Sequence, residues 1–339
     1  MHKNKSTCVI IGLGKMGEKY IRISKEINLK IIGIYDRDKN RKIEIVISNK
    51  LHKLKNYSNL NDILKLKPEV ALIASTADGH YDLIKKCAQN GIKKIMVEKP
   101  ITTSLTSCQK IKKLIKRNKI SLCVNQSYVF SNQYSYLKKI ISSKKFGDLV
   151  SLNFIGGNSG ISMNGIHYFS IIKFLTNSNV KEVISNIKVD TNLNPRGIKF
   201  KDFEGQISLL NDNGSRGYID LSNKAGHGET LTCVFKFGII FVDLFTGVVI
   251  KNFRKPSQKK FSTVFYSKPY ISKKEKIKIS DTSSITKINL INFLREKNYV
   301  NLDEGIRSMK ILIASIESSK KGISINLNKF KNKKSFNWA

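Results

Sequence analysis

Three glycines at fixed spacing carry the first chemical signal: Gly12-Leu13-Gly14-Lys15-Met16-Gly17. An apolar, β-branched run precedes them at 7–11, and helical spacing follows at 15–27 (Met16, Tyr20, Ile23, Ile27). In a strand–turn–helix of that kind the first glycine allows the tight turn. The second lets a pyrophosphate approach the backbone, and the third lets the helix pack close to the strand. Lys15, Met16 and Gly17 then open a helix whose N–H groups and partial positive charge suit phosphates. A second β-branched run, 29–35, ends at Asp36, 19 residues past Gly17. A carboxylate at that distance accepts hydrogen bonds from an adenosine ribose diol and disfavours a 2′-phosphate. Arg37 follows at once and can pair with a 2′-phosphate. The expected cofactor is NAD, with NADP left open by Arg37.

The elements that must position these groups alternate as far as residue 125. Further apolar runs lie at 69–74, 94–97 and 121–124, with helical patterns between them at 81–90 and 104–117. Near-continuous apolar strands separated by helices imply a parallel sheet covered on both faces. After 125 the rhythm changes. Helical spacing at 134–142 and 166–175 is followed by β-rich segments at 205–210, 217–221, 231–237, 239–244 and 248–253, and Asn211-Asp212-Asn213-Gly214 signals a hairpin. Late helices are expected at 284–295 and 303–319. The lysine-rich stretch 251–278 reads as a mobile loop and 329–334 as a frayed tail. The expected architecture is α/β: a doubly wound parallel sheet over 1–125, then an α+β domain over 126–339 with a mostly antiparallel open sheet.

Composition bounds the partners. The chain has 339 residues, 40% of them apolar, enough for two cores. No apolar run reaches the roughly 18 residues of a membrane span, and the N-terminal apolar run is too short for a signal peptide, so a cytoplasmic address is expected. The net charge is +36, but only nine of the 61 basic residues are Arg, and the lysines are spread along the whole chain. Nucleic-acid surfaces concentrate charge and favour arginine forks, so lysine filling solvated positions is the better account. A positive field still attracts anionic substrates. Cys8, Cys87, Cys108, Cys123 and Cys233 form no C-x-x-C pair and sit in apolar segments, as free buried thiols do, and no metal is expected.

With these motifs in place the chain resembles the glucose–fructose oxidoreductase and inositol dehydrogenase family. The resemblance rests on Gly12–Gly17 with Asp36, on 68–76 ending in Ser75-Thr76, and on His80. It continues in 91–100 ending in Glu98-Lys99-Pro100, in 147–150, in Gly165-Ile166-His167 and in 302–322. It implies a Rossmann domain and a hydride-transferring enzyme. Glu98-Lys99-Pro100 follows a parallel strand, where ligands of open α/β sheets bind. The resemblance implies that Lys99 hydrogen-bonds the reacting hydroxyl and stabilises the developing alkoxide. It also implies that His167 accepts the proton, as an imidazole can near neutral pH. Ser75, Thr76 and Glu98 are expected beside the cofactor. His80 is equally readable as a cofactor contact or as a locally packed residue that starts a helix.

The chain departs from the family around the histidine. Many members carry Asp where this chain has Met163 and again where it has Ser170, and an aromatic–Arg pattern is replaced by Asn125-Gln126-Ser127-Tyr128-Val129-Phe130. Asn164, Asn125 and Tyr128 are the candidate substrate contacts. The leading expectation is an NAD(P)-dependent dehydrogenase acting on a hydroxyl of a sugar, polyol or nucleotide sugar, in surface-polysaccharide synthesis. The rival is a catalytically weak dinucleotide- or sugar-sensing protein that keeps the fold. The open sheet predicts a homodimer or homotetramer, with neither nucleic acid nor membrane as partner.

Overall fold

The computed structural model describes residues 6–52, 54, 57, 59–157, 160–190, 200–262 and 271–336. In chain order the first elements are β1 (Thr7–Ile11), α1 (Lys15–Glu26), β2 (Lys30–Tyr35), α2 (Lys39–Ser48), α3 (Leu60–Leu64), β3 (Val70–Ile73), α4 (His80–Gln89), β4 (Lys94–Val97), α5 (Leu105–Asn118) and β5 (Ser121–Val124). There follow α6 (Asn132–Ser142), β6 (Leu149–Gly157), α7 (Ile166–Thr176), β7 (Val180–Val189), β8 (Phe203–Asn211), β9 (Arg216–Ser222) and β10 (Thr230–Phe235). The chain closes with β11 (Gly238–Asp243), β12 (Val248–Phe253), β13 (Ile271–Lys276), α8 (Thr282–Leu294), α9 (Leu302–Lys321) and β14 (Ile325–Asn326).

Two compact units result. The first holds the chain up to Ser127 and takes back Thr282–Arg307; the second holds Tyr128–Asp281 and Ser308–Lys331. In the first unit five parallel strands run in the order β2-β1-β3-β4-β5. The central strands are buried on both faces because helices cover each side, which is why their sequences are continuously apolar. Tyr20, Ile21 and Ile23 of α1 join Ile10, Val70, Leu72 and Met96 in one core, which Leu290 and Phe293 of α8 complete. The α8 segment is tied to β5 by the Asn289 amide, and Val124 N–H donates to Val300 O at 2.9 Å. The Phe336 N–H also reaches Thr103 O, at 3.0 Å, so the chain just past the expected frayed tail is anchored.

In the second unit nine strands run β13-β12-β11-β10-β6-β9-β8-β7-β14, antiparallel except for the β6–β9 pair. The burial alternates along β8, β9 and β10, as it does in a sheet with one covered face. The other face carries a cross-strand row: Ile184, Ser208, Tyr218, Asn153, Thr232, Phe241 and Ile250. Its large apolar members Ile184, Tyr218, Phe241 and Ile250 are exposed. The expectation of a loop over 251–278 is corrected at both ends. Lys251 lies in β12, which pairs with β13 from Val248↔Lys276 to Phe253↔Ile271. The lysines of β13 belong to a sheet edge, where charge is favoured because it blocks further strand addition. Residues 263–270 lie outside the described residues. All five cysteines are free and buried.

Candidate functional site

The glycine turn sits at the carboxyl end of β1, beside the ends of β2 and β3. Gly12 has φ +90°, and a Cβ there would stand 2.7 Å from the Ser75 nitrogen. Its N–H donates to Tyr35 O at 2.8 Å, locking the turn to β2. At Gly17 a Cβ would meet Gly12 O at 2.1 Å, so close helix approach is what this glycine permits. Gly14 differs. It is the N-cap of α1 with no side-chain cap, and a Cβ there would meet nothing within 4 Å. Open space over an uncapped helix N-terminus is the geometry that receives a phosphate. Arg41 braces the loop from α2: its Nε donates to Leu13 O at 2.9 Å, and its guanidinium pairs with Glu44 and Glu18.

The Asp36 carboxylate faces this turn. It accepts the Leu13 N–H at 2.6 Å and the Asp38 N–H at 3.0 Å. A cavity of about 470 Å³ opens here, lined by Gly12, Gly14, Asp36, Arg37, Ser75 and Thr76, with apolar walls from Leu60, Ala74 and Leu83 and further polar groups from Asp82 and Lys86. The donor set, the apolar walls and the gap over Gly14 fit the adenosine and pyrophosphate of a dinucleotide. Lys15 and Met16 stand in the first turn of α1 and do not line the cavity.

The groups near Glu98 form a second cluster. Glu98 is buried, and its Oε1 accepts from the Tyr20 hydroxyl and from the Asn125 amide, both at 2.7 Å. Burial and the Glu98 charge push the Tyr20 phenol well up, so it stays a donor. The Asn125 amide, expected at substrate, is thus directed onto Glu98, and the Asn289 amide reaches the Asn125 oxygen at 3.4 Å. His80 is fully buried at the start of α4. Its Nε2 faces Ser75 O at 2.9 Å and its Nδ1 faces Pro100 O and Ile101 O at 3.1 Å, which ties the turn after β3 to the turn after β4. Burial pulls its pKa down, against the opposing effect of these carbonyls and of Glu98. It does not line the cavity. Lys99 is half-buried on the turn after β4.

In the second unit His167 lies in the first turn of α7, directly after a π turn, Ile161–Gly165, that contains Asn164. Its ring stacks on Tyr128, with centroids 4.0 Å apart and planes 9° from parallel. Asp202, buried, holds the π turn: it accepts from the Ser162 N–H and hydroxyl at 2.7 Å each and from the Met163 N–H at 3.3 Å. Burial raises its pKa despite those bonds. Burial and the charge of Glu229 also raise the phenols of Tyr128, Tyr134 and Tyr168. Ser170 pairs with the Ser308 hydroxyl at 3.1 Å.

Sequence reasoning did not single out Leu60, Leu83, Tyr20, Asn289, Asp202 or Glu229. Of these only Tyr20 carried a signal, three residues past Gly17 on the face that α1 buries.

Comparison with known proteins bears on both units. Residues 6–126 match the model of an oxidoreductase family with an NAD-binding Rossmann fold. The chain is 22% identical over 244 residues to scyllo-inositol 2-dehydrogenase (NAD(+)) of Bacillus subtilis, across 66% of this chain and 69% of that protein. An Agrobacterium radiobacter oxidoreductase, solved with NAD+, L-tartaric acid and magnesium, superposes with a TM-score of 0.79 at 16% identity, covering 96% of this chain and 99% of that one. A super-repressor mutant of Gal80p from Saccharomyces cerevisiae does so with a TM-score of 0.77 at 12% identity, with the same coverage. Among the described residues no helix is long and apolar enough to cross a membrane.

Proposed function

We propose that this protein is an NAD(P)-dependent dehydrogenase acting on a secondary hydroxyl of a sugar, polyol or nucleotide sugar, a reading supported by the match of residues 6–126 to the model of an oxidoreductase family with an NAD-binding Rossmann fold. The observation that carries the reading is the open space over Gly14 in a cavity that also presents Asp36. Asp36 accepts the adenosine ribose hydroxyls, the first turn of α1 meets the pyrophosphate, and Ser75 and Thr76 flank the cofactor. When bound, NAD supplies the hydride acceptor.

The chain's own residues handle the proton. Lys99 donates a hydrogen bond to the substrate oxygen and stabilises its developing negative charge. His167 takes the hydroxyl proton, with its ring plane set by the Tyr128 stack. Asn164, beside it in the π turn, contacts substrate. The inositol dehydrogenase relative favours a polyol or sugar, and the net charge of +36 favours an anionic one, as a nucleotide sugar for surface polysaccharide would be. The exposed apolar row of the second sheet supports a homodimer or homotetramer.

Calorimetric titration with NADH and NADPH, followed by a screen of polyols and nucleotide sugars for NADH formation, tests the reading. Binding of neither cofactor removes it, and tighter NADPH shows that Arg37 prevails over Asp36. A second reading is a cofactor-binding sensor without turnover. It is favoured by Met163 and Ser170 at positions where the family resemblance implies Asp, and the fold is similar to that of Gal80p. Cofactor binding with no substrate turned over selects it.

A further inference from the structure

The strand order β2-β1-β3-β4-β5 sets the glycine turn of β1 between Asp36, past the end of β2, and Glu98, past the end of β4. A dinucleotide with its adenosine at Asp36 and its pyrophosphate over Gly14 therefore lays its second nucleoside over the ends of β3, β4 and β5. Glu98 is buried there, 6% exposed. Its Oε1 is held by two neutral donors, the Tyr20 phenol and the Asn125 amide, each at 2.7 Å. Both are fixed in turn: Tyr20 is fully buried in the core, and Asn289 reaches the Asn125 oxygen at 3.4 Å. Such dipoles stabilise a carboxylate without cancelling its charge. In a water-poor interior that charge acts on its surroundings more strongly than it would in solvent.

We propose that Glu98 sets the redox preference of the bound cofactor, its fixed negative charge favouring the cationic oxidised nicotinamide over the neutral reduced one. The inference rests on the dinucleotide reading above. The two forms of the ring differ by one unit of charge next to an unmoving carboxylate, so the carboxylate acts on the ratio of their affinities more than on either affinity alone. Lys99, the next residue, carries the opposite sign and acts in the opposite direction.

The test is the ratio of dissociation constants, NAD+ over NADH, measured calorimetrically on the full chain without substrate. Glu98→Gln keeps the Oε1 acceptor and both donors and removes only the charge; the ratio should rise about three- to tenfold. Tyr20→Phe keeps the charge, so its ratio should stay within about twofold of wild type. Lys99→Met removes the opposing cation and should lower the ratio by about two- to fivefold. If wild type binds neither form, the dinucleotide reading fails. If wild type binds both and the Glu98→Gln ratio does not move, the role of Glu98 is overturned while the dinucleotide reading stands. Should Glu98→Gln not fold, Glu98→Met decides, since it also removes the charge at similar volume: a rise in the ratio supports the inference, and no change or a fall overturns it.

Discussion

The first unit offers its candidate ligand contacts largely through backbone. A positive-φ glycine, an uncapped helix N-terminus and strand ends place N–H groups around open space, and the side chain that faces them, Asp36, is itself fixed by two N–H donors. The second unit presents side chains. His167 is set by stacking on Tyr128, and the turn before it hangs on the Asp202 carboxylate. A backbone cradle tolerates change wherever the fold survives and fails wherever a Cβ enters it. A side-chain constellation fails one residue at a time and is sensitive to charge.

The sharpest break in that comparison is at Lys99 and His167, the proposed proton-handling groups. Lys99→Ala and His167→Ala should each lower kcat by about 10²–10⁴-fold, the usual contribution of a positioned acid–base group, while NADH affinity changes by less than about fivefold. The double variant should be little worse than the poorer single one, because groups that act as a unit are not additive. Steady-state kinetics beside NADH titration reads both effects. Unchanged turnover in either single variant removes that residue from the chemistry.

The cradle is tested at Gly14. A Cβ there meets no protein atom within 4 Å, so Gly14→Val should melt within a few degrees of wild type. The same side chain fills the space a pyrophosphate needs, so NADH affinity should drop by roughly 100-fold or more. A variant that binds NADH normally would make the loop a structural turn only.

The contrast also explains what could be read from the residues. Gly12, Gly14, Gly17 and Asp36 act through local backbone geometry, and their spacing alone indicated the turn, the helix start and the strand end that appear in the structure. Strands β1 to β5 and β8 to β12 were readable for a similar reason, since continuous or alternating burial writes itself into the residue pattern. Helix α2 was not. Its isoleucines at 43, 45 and 47 alternate as in a strand, only Ile45 is buried, and the helix depends on its Asp38 cap. Asp202 was not readable either: it lies 40 residues from the turn it holds, and only the tertiary fold brings the two together. Nor does helical periodicity at 282–294 tell that α8 packs with the first sheet.

Asp202 gives a smaller but pH-dependent effect. Asp202→Ala strands the Ser162, Met163 and Phe203 N–H groups and should cost about 2–4 kcal/mol of stability. Asp202→Asn keeps the oxygen that takes most of these bonds and should cost about 1 kcal/mol. Burial raises the folded carboxyl above its ordinary value of 3.8. Between the unfolded and folded values the folded chain keeps a proton that the unfolded chain has released. The group's contribution is therefore fullest below the unfolded value and is lost as pH rises through the folded one. Urea unfolding of wild type and Asp202→Asn between about pH 4 and 7 should show the wild-type advantage shrinking toward neutrality. A constant difference would mean that the carboxyl titrates alike in both states.

The smallest expected effect separates a re-engineered site from a decayed one. Met163→Asp introduces the carboxylate that the family resemblance implies four residues before the histidine. In this chain the turn already has a carboxylate, since Asp202 accepts the Met163 N–H at 3.3 Å, and the His167 ring is already set against Tyr128. A second carboxylate beside a buried one cannot ionise freely; the pair shares its charge and one member is pushed up further. Met163→Asp should therefore leave kcat unchanged or lower it by about two- to fivefold. It should also move the acid limb of the kcat profile upward, as the added carboxyl titrates at higher pH than an isolated one. If Asp202 only fastens the turn and leaves the histidine untuned, the same substitution should instead raise kcat several-fold, most clearly with a polyol substrate. Profiles of both proteins on one substrate distinguish the two: a gain marks a site that has lost a working part, and a loss marks one rebuilt around Asp202.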